Sequence, residues 1–81
     1  MSEDVRKRVA LKEGDTLVSK GSRTKGFMGE TDINSYEVIN SNNEIVGTVE
    51  HTHHTAVKGF KVTQSLIQKD KAGNTIVDER W

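Results

Sequence analysis

The clearest alternation of apolar and polar positions in this chain lies between Phe60 and Trp81. Phe60, Val62, Leu66, Val77 and Trp81 fall on alternate positions either side of Asp70-Lys71-Ala72-Gly73. That tetrapeptide places Asp first and Gly last, as a type I turn favours. Alternation with a period of two marks a strand with one buried face, so the segment predicts a β-hairpin. With Asp70 facing Gly73, Leu66 faces Val77, Val62 faces Trp81, and the polar pair Gln64–Glu79 interrupts the row. A helix over Val62–Lys71, stopped by Gly73, is the competing reading, because Val62 and Leu66 are four apart. The β-rich flanks at 60–63 and 75–77 favour strands.

A second hairpin is predicted from Ile33–Asn40 and Glu44–His51 around Ser41-Asn42-Asn43. Asn tolerates left-handed backbone, so a two-residue Asn42-Asn43 turn fits. It pairs Ile39 with Val46 and Tyr36 with Val49, and brings Asp32 near His53. Thr55 to Lys58 links the two hairpins, and Gly59 permits a bend. Thr16 to Ser19 reads as a short strand. The N-terminal residues fit either a Ser2-capped helix with Val5 and Val9 one turn apart, or a strand alternating Val5, Lys7, Val9 and Leu11. The second pattern predicts a strand from Val9 onward behind a frayed basic arm, residues 1–8. Residues 20–32, with Gly21, Gly26 and Gly29, read as a mobile loop in which Phe27 and Met28 are either core anchors or an exposed tip.

These elements predict one domain over residues 1–81, mainly β: a small antiparallel sheet or partly open barrel of four to five strands. The alternative is an α+β arrangement with one helix packed on a three- to four-stranded antiparallel sheet. Composition limits the core. Hydrophobic residues make up only 32% of the 81 positions, well below the roughly 45–50% usual when Gly is counted. A domain of this size buries a modest share of its surface and is marginally stable.

Cysteine is absent, which excludes disulfides and thiolate metal sites. No apolar run is long enough for a membrane-spanning helix, and no secretory h-region is apparent, so a cytoplasmic location is expected. Net charge is zero, yet it is sorted along the chain. Residues 1–29 carry +3, residues 30–57 carry −5 with no Lys or Arg, and residues 58–81 carry +2. Sorting of this kind bears on partners more than on fold.

Glu50-His51-Thr52-His53-His54 is the one cluster of potential ligands. On a strand His51 and His53 point the same way, roughly 6.5–7 Å apart, with Asp32 as the third candidate ligand across the hairpin. Two such His without a fixed third ligand are a weak metal signal, and no cofactor is expected. Their acidic neighbourhood also raises the idea of a pH-sensitive surface. Gly21-Ser22-Arg23-Thr24-Lys25-Gly26 has phosphate-loop glycine spacing, but Phe27 and Met28 stand where Lys and Ser/Thr are needed. No catalytic constellation is recognisable. A non-catalytic module that binds a protein is therefore the expectation. Glu30, Asp32, Glu37, Glu50, His51 and His53 on the acidic hairpin, or an exposed strand edge, would make the contact. Self-association through an edge strand is a variant of that reading. The alternative is nucleic-acid binding through Arg6, Lys7, Arg8, Arg23 and Lys25.

Overall fold

The computed structural model describes residues 3–26, 29–56, 59 and 61–81. One short helix, α1 (Glu3–Arg8), precedes five strands: β1 (Thr16–Lys25), β2 (Thr31–Ile39), β3 (Ile45–Thr55), β4 (Val62–Asp70) and β5 (Thr75–Arg80). The strands form one open antiparallel sheet in chain order, β1-β2-β3-β4-β5. The acidic β2–β3 hairpin thus lies inside the sheet, and the edges are β1 and β5. The helix proposed for 62–71 is absent, because β4 occupies that segment.

The two hairpins are built alike. Asn40 N–H donates to Glu44 O, Asn43 N–H donates to Asn40 O, and Asn43 takes φ 65°. Asp70 N–H donates to Asn74 O, Gly73 N–H donates to Asp70 O, and Gly73 takes φ 90°. Each is a type I turn followed by a left-handed residue, one residue longer than the tight turns predicted. In each, the side chain opening the turn accepts backbone N–H groups. Asn40 Oδ1 takes those of Asn42 and Glu44, and Asp70 Oδ1 takes that of Asn74.

A second irregularity follows each turn, between Val38 and Ile39 in one ladder and between Gln68 and Lys69 in the other. It leaves Val46 and Ile76 as the extra residues. In the β2–β3 ladder the two offsets cancel the error in the predicted turn. Ile39 pairs with Ile45 rather than Val46, but Tyr36 opposes Val49 and Asp32 opposes His53 as expected. In the β4–β5 ladder they add to a shift of two. Gln68 opposes Val77, Leu66 opposes Glu79, and Gln64 and Trp81 exchange both backbone hydrogen bonds. An even shift preserves the face, so Leu66, Val77 and Trp81 still share one side. Val62 pairs with Thr55 and is exposed; Phe60 lies outside the described residues.

The N-terminus differs from expectation. Residues 3–8 are helical rather than a frayed arm, and no strand begins at Val9, whose N–H donates to Val5 O. Val5 is fully buried with Val38, Val49 and Leu66, and Val9, Leu17, Tyr36, Val46, Val77 and Trp81 pack around that cluster. Gln68, also buried, then pins the chain leaving α1. Its Oε1 accepts from Ala10 N–H at 2.7 Å, and its Nε2 donates to Ala10 O at 2.8 Å. The supposed loop 20–32 is mostly strand: β1 continues to Lys25, with a register shift between Ser19 and Gly21 where Gly21 takes φ 140°. Only residues 26–30 separate β1 from β2, and Phe27 and Met28 lie outside the described residues.

Gly47 lies on β3 opposite Asp70 of β4. A Cβ there would meet the backbone oxygen of Lys69 at 2.6 Å, and a backbone atom cannot swing aside. Gly47→Ala is expected to destabilise the fold by about 1–3 kcal/mol, the usual scale for overpacking. A urea titration with unchanged slope and lower midpoint would register it.

Asp70 gives a pH signature. The Asn74 backbone N–H, opposed by desolvation and helped by the Asn74 side chain and the Ala72 and Gly73 amides, holds its carboxyl below the ordinary value of 3.8. A carboxylate depressed by folding stabilises the fold fully above its unfolded pKa, and this is lost as pH falls through the folded value. Asp70→Asn should keep the turn, as Asn40 does in the sister hairpin, and should remove this part of the acid dependence. Melting temperatures recorded down a pH series for both proteins should therefore diverge above the ordinary value and converge below it.

Candidate binding surface

The sheet carries α1 on one face; the opposite face is accessible around β3 and β4, whereas Ile33, on that same opposite face between Arg23 and Thr52, is buried at 6% exposure. Leu17, Tyr36, Val38, Val49, His51, Leu66, Gln68, Val77 and Trp81 alternate onto the face that carries α1. A six-residue helix is about 9 Å long, so it covers only part of a molecule measuring 45 × 22 × 20 Å. Beyond the helix, aromatic and polar side chains close this face. His51 is 7% exposed, its Nε2 lies 2.9 Å from Gln64 Oε1, and its ring stacks on Trp81 at 5.8 Å and 18°. The Arg8 guanidinium sits 3.7 Å from the centroid of the same indole and pairs with Glu79 at 3.6 Å. The helix end, β3, β4 and Trp81 are thereby tied together.

The out-of-phase residues occupy the opposite face. Lys20, Glu37, Thr48, Glu50, Ile67 and Lys69 line a groove of about 410 Å³ there. Register places Glu37, Thr48 and Lys69 in one transverse row. Ser35, Glu50, Ile67 and Asp78 form the next. Lys20 Nζ lies 3.4 Å from Glu37 Oε1. Charges of both signs thus surround Ile67, and Val18 is 41% exposed on the same face beside Glu37. Such an arrangement sets the register and encounter rate of a docking surface.

The predicted acidic set divides between the faces. Glu37 and Glu50 lie on the open one. Asp32, His51 and His53 lie on the other, where Asp32 Oδ1 accepts from Thr24 Oγ1 at 3.2 Å. Glu30 precedes β2, and its carbonyl accepts from Thr55 N–H at 2.9 Å. His54 Nδ1 meets Thr31 Oγ1 at 2.7 Å. Although Asp32 opposes His53, His51 is committed to Gln64 and Trp81. No group of three or more His, Asp or Glu among the described residues is placed to hold a metal ion. The basic set also separates. Arg6, Lys7 and Arg8 belong to α1, whereas Arg23 opposes Ile33 on β1 and Lys25 ends that strand. None of the predicted site sets included Lys20, Thr48, Ile67 or Lys69. The signal for the β4 pair was present, since Ile67 and Lys69 fall out of phase with Leu66.

Both sheet edges carry features that discourage pairing. β1 has a bulge and bears Lys20, Arg23 and Lys25, and β5 has a bulge at Ile76. No described helix is long and apolar enough to cross a membrane. Comparison with known protein families, curated proteins and solved structures finds no match for this chain.

Proposed function

We propose that this protein is a non-catalytic module that binds another protein through the open face of its sheet. The observation that carries this reading is the division of labour between the faces. The helix-bearing side is consumed by the core and the Arg8–Trp81–His51 stack. The other side leaves Ile67 among Glu37, Glu50, Lys20 and Lys69 in an accessible groove. A central apolar residue ringed by charges of both signs matches the anatomy of a protein interface, with an apolar centre and a polar rim. It suits a phosphate backbone less well, because Glu37 and Glu50 would repel one. The blunted edges favour the face over strand addition as the point of contact.

Affinity capture from the native host at physiological salt, with and without nuclease, tests this. Wild type should retain a protein, and Glu50→Lys and Ile67→Lys should each lose most of it while melting temperature stays within a few degrees. Recovery of nucleic acid through Arg6, Lys7, Arg23 and Lys25, untouched by the face substitutions, would contradict it.

A further inference from the structure

We propose that the occupant of the open face is a second copy of this chain, packed sheet against sheet about a two-fold axis. The inference rests on the binding reading above and names the partner. Its first support is self-complementary charge. The row Glu37–Thr48–Lys69 runs beside the row Glu50–Ile67. A two-fold axis lying between these rows, across the strands, sets each row over the other's copy. Glu50 of one copy then stands over Thr48 of its partner, one strand spacing of about 4.8 Å from Lys69. Symmetry repeats the pair, so one residue type at each position satisfies both halves of the interface. Ile67 comes over the aliphatic stem of Lys69.

The second support is size. Five strands about 4.8 Å apart, each offering some seven residues at about 3.3 Å, set an upper bound of roughly 550 Å² in plan for this face, within which Ile33 is already buried. Corrugation raises that toward the roughly 600–1,000 Å² per partner that a stable interface buries. A sheet whose second face is accessible around Ile67 gains a second layer there, as two sheets do in a sandwich. The gain matters because, among the described residues, the buried cluster beneath α1 consists of Val5, Val38, Val49 and Leu66.

Sedimentation equilibrium from micromolar to millimolar protein tests the proposal, with circular dichroism confirming that each variant is folded. Wild type should approach twice the chain mass. Glu50→Lys and Lys69→Glu should each weaken the dimer by about tenfold or more, as loss of close opposite-charge pairs and creation of like-charge pairs do. The double variant Glu50→Lys, Lys69→Glu should recover it. Monomeric wild type, a dimer indifferent to both single substitutions, or a double variant that stays monomeric would each overturn the proposal. If wild type is monomeric yet its capture of a different protein is abolished by Glu50→Lys, the binding reading survives and the second copy does not. If the face substitutions alter neither measurement, both fall.

Discussion

Leu66→Ala is expected to leave a large part of the population unfolded at ambient temperature. Leu66 is fully buried, at the meeting point of α1, β3 and β4, within a cluster of four buried apolar residues among those described. Truncating such a side chain removes its transfer free energy and leaves a cavity, together about 3–5 kcal/mol. The helix cannot easily collapse into the gap, because Gln68 holds Ala10 at a fixed height over β4 through two hydrogen bonds. Small domains draw on a total stability near the low end of about 5–15 kcal/mol, so one residue here removes most of it. Urea unfolding should show the midpoint falling by more than half. Leu66→Met, which keeps the volume, should cost less than about 1.5 kcal/mol.

Trp81→Ala should be the next most damaging change, at about 2–4 kcal/mol for a half-buried aromatic with specific ring contacts. Truncation removes the His51 stack and the Arg8 contact together, loosening the end of α1 from the sheet. The backbone bonds between Trp81 and Gln64 survive it. Two companions separate the contributions. Arg8→Ala removes the cation and its partly exposed pair with Glu79, and should cost only about 0.5–1 kcal/mol. Trp81→Phe should recover more than half of the alanine loss. The indole N–H is buried without a hydrogen-bond partner among the described residues, so losing it removes no bond. Thermal melts of the three variants should rank Trp81→Ala far below Trp81→Phe and Arg8→Ala.

Much of this fold was legible in the alternation of side chains. The faces of β2, β3, β4 and β5 followed from period two alone, and they survived a wrong register at Leu66–Val77 because two bulges shifted the ladder by an even number. The bulges themselves were illegible. They depend on how Asn43 and Gly73 enter left-handed backbone. The start of the chain failed for a different reason. Val5 and Val9 satisfy a helical spacing and a strand alternation equally, and the uncovered apolar patch of Val38, Val49 and Leu66 decides between them. That patch exists only once the sheet is assembled. β1 beyond Ser19 was missed because an edge strand pairs through its backbone and needs no apolar pattern, so its Gly and hydroxyl residues imitated a loop.

The site was legible by halves. Glu37 and Glu50 fell on one face by parity, together with Ile67 and Lys69 once β4 was phased on Leu66. His51 belonged instead to the interior. Its ring is stacked by Trp81, which reaches it through the two-residue slide of the last hairpin, and is bonded by Gln64, which the β3–β4 register sets beside it.

The claim on which the rest depends is that the two faces do different work: one holds the molecule together, the other meets a partner. Methyl-resolved NMR through a dilution series addresses it most directly, because each methyl reports its own face. With increasing protein concentration the methyls of Val18, Thr48 and Ile67 should shift together along one saturating curve, while those of Val5, Val49 and Leu66 stay in place. Shifts confined to the helix-bearing side, or an open face whose methyls ignore both concentration and every captured protein, would contradict it.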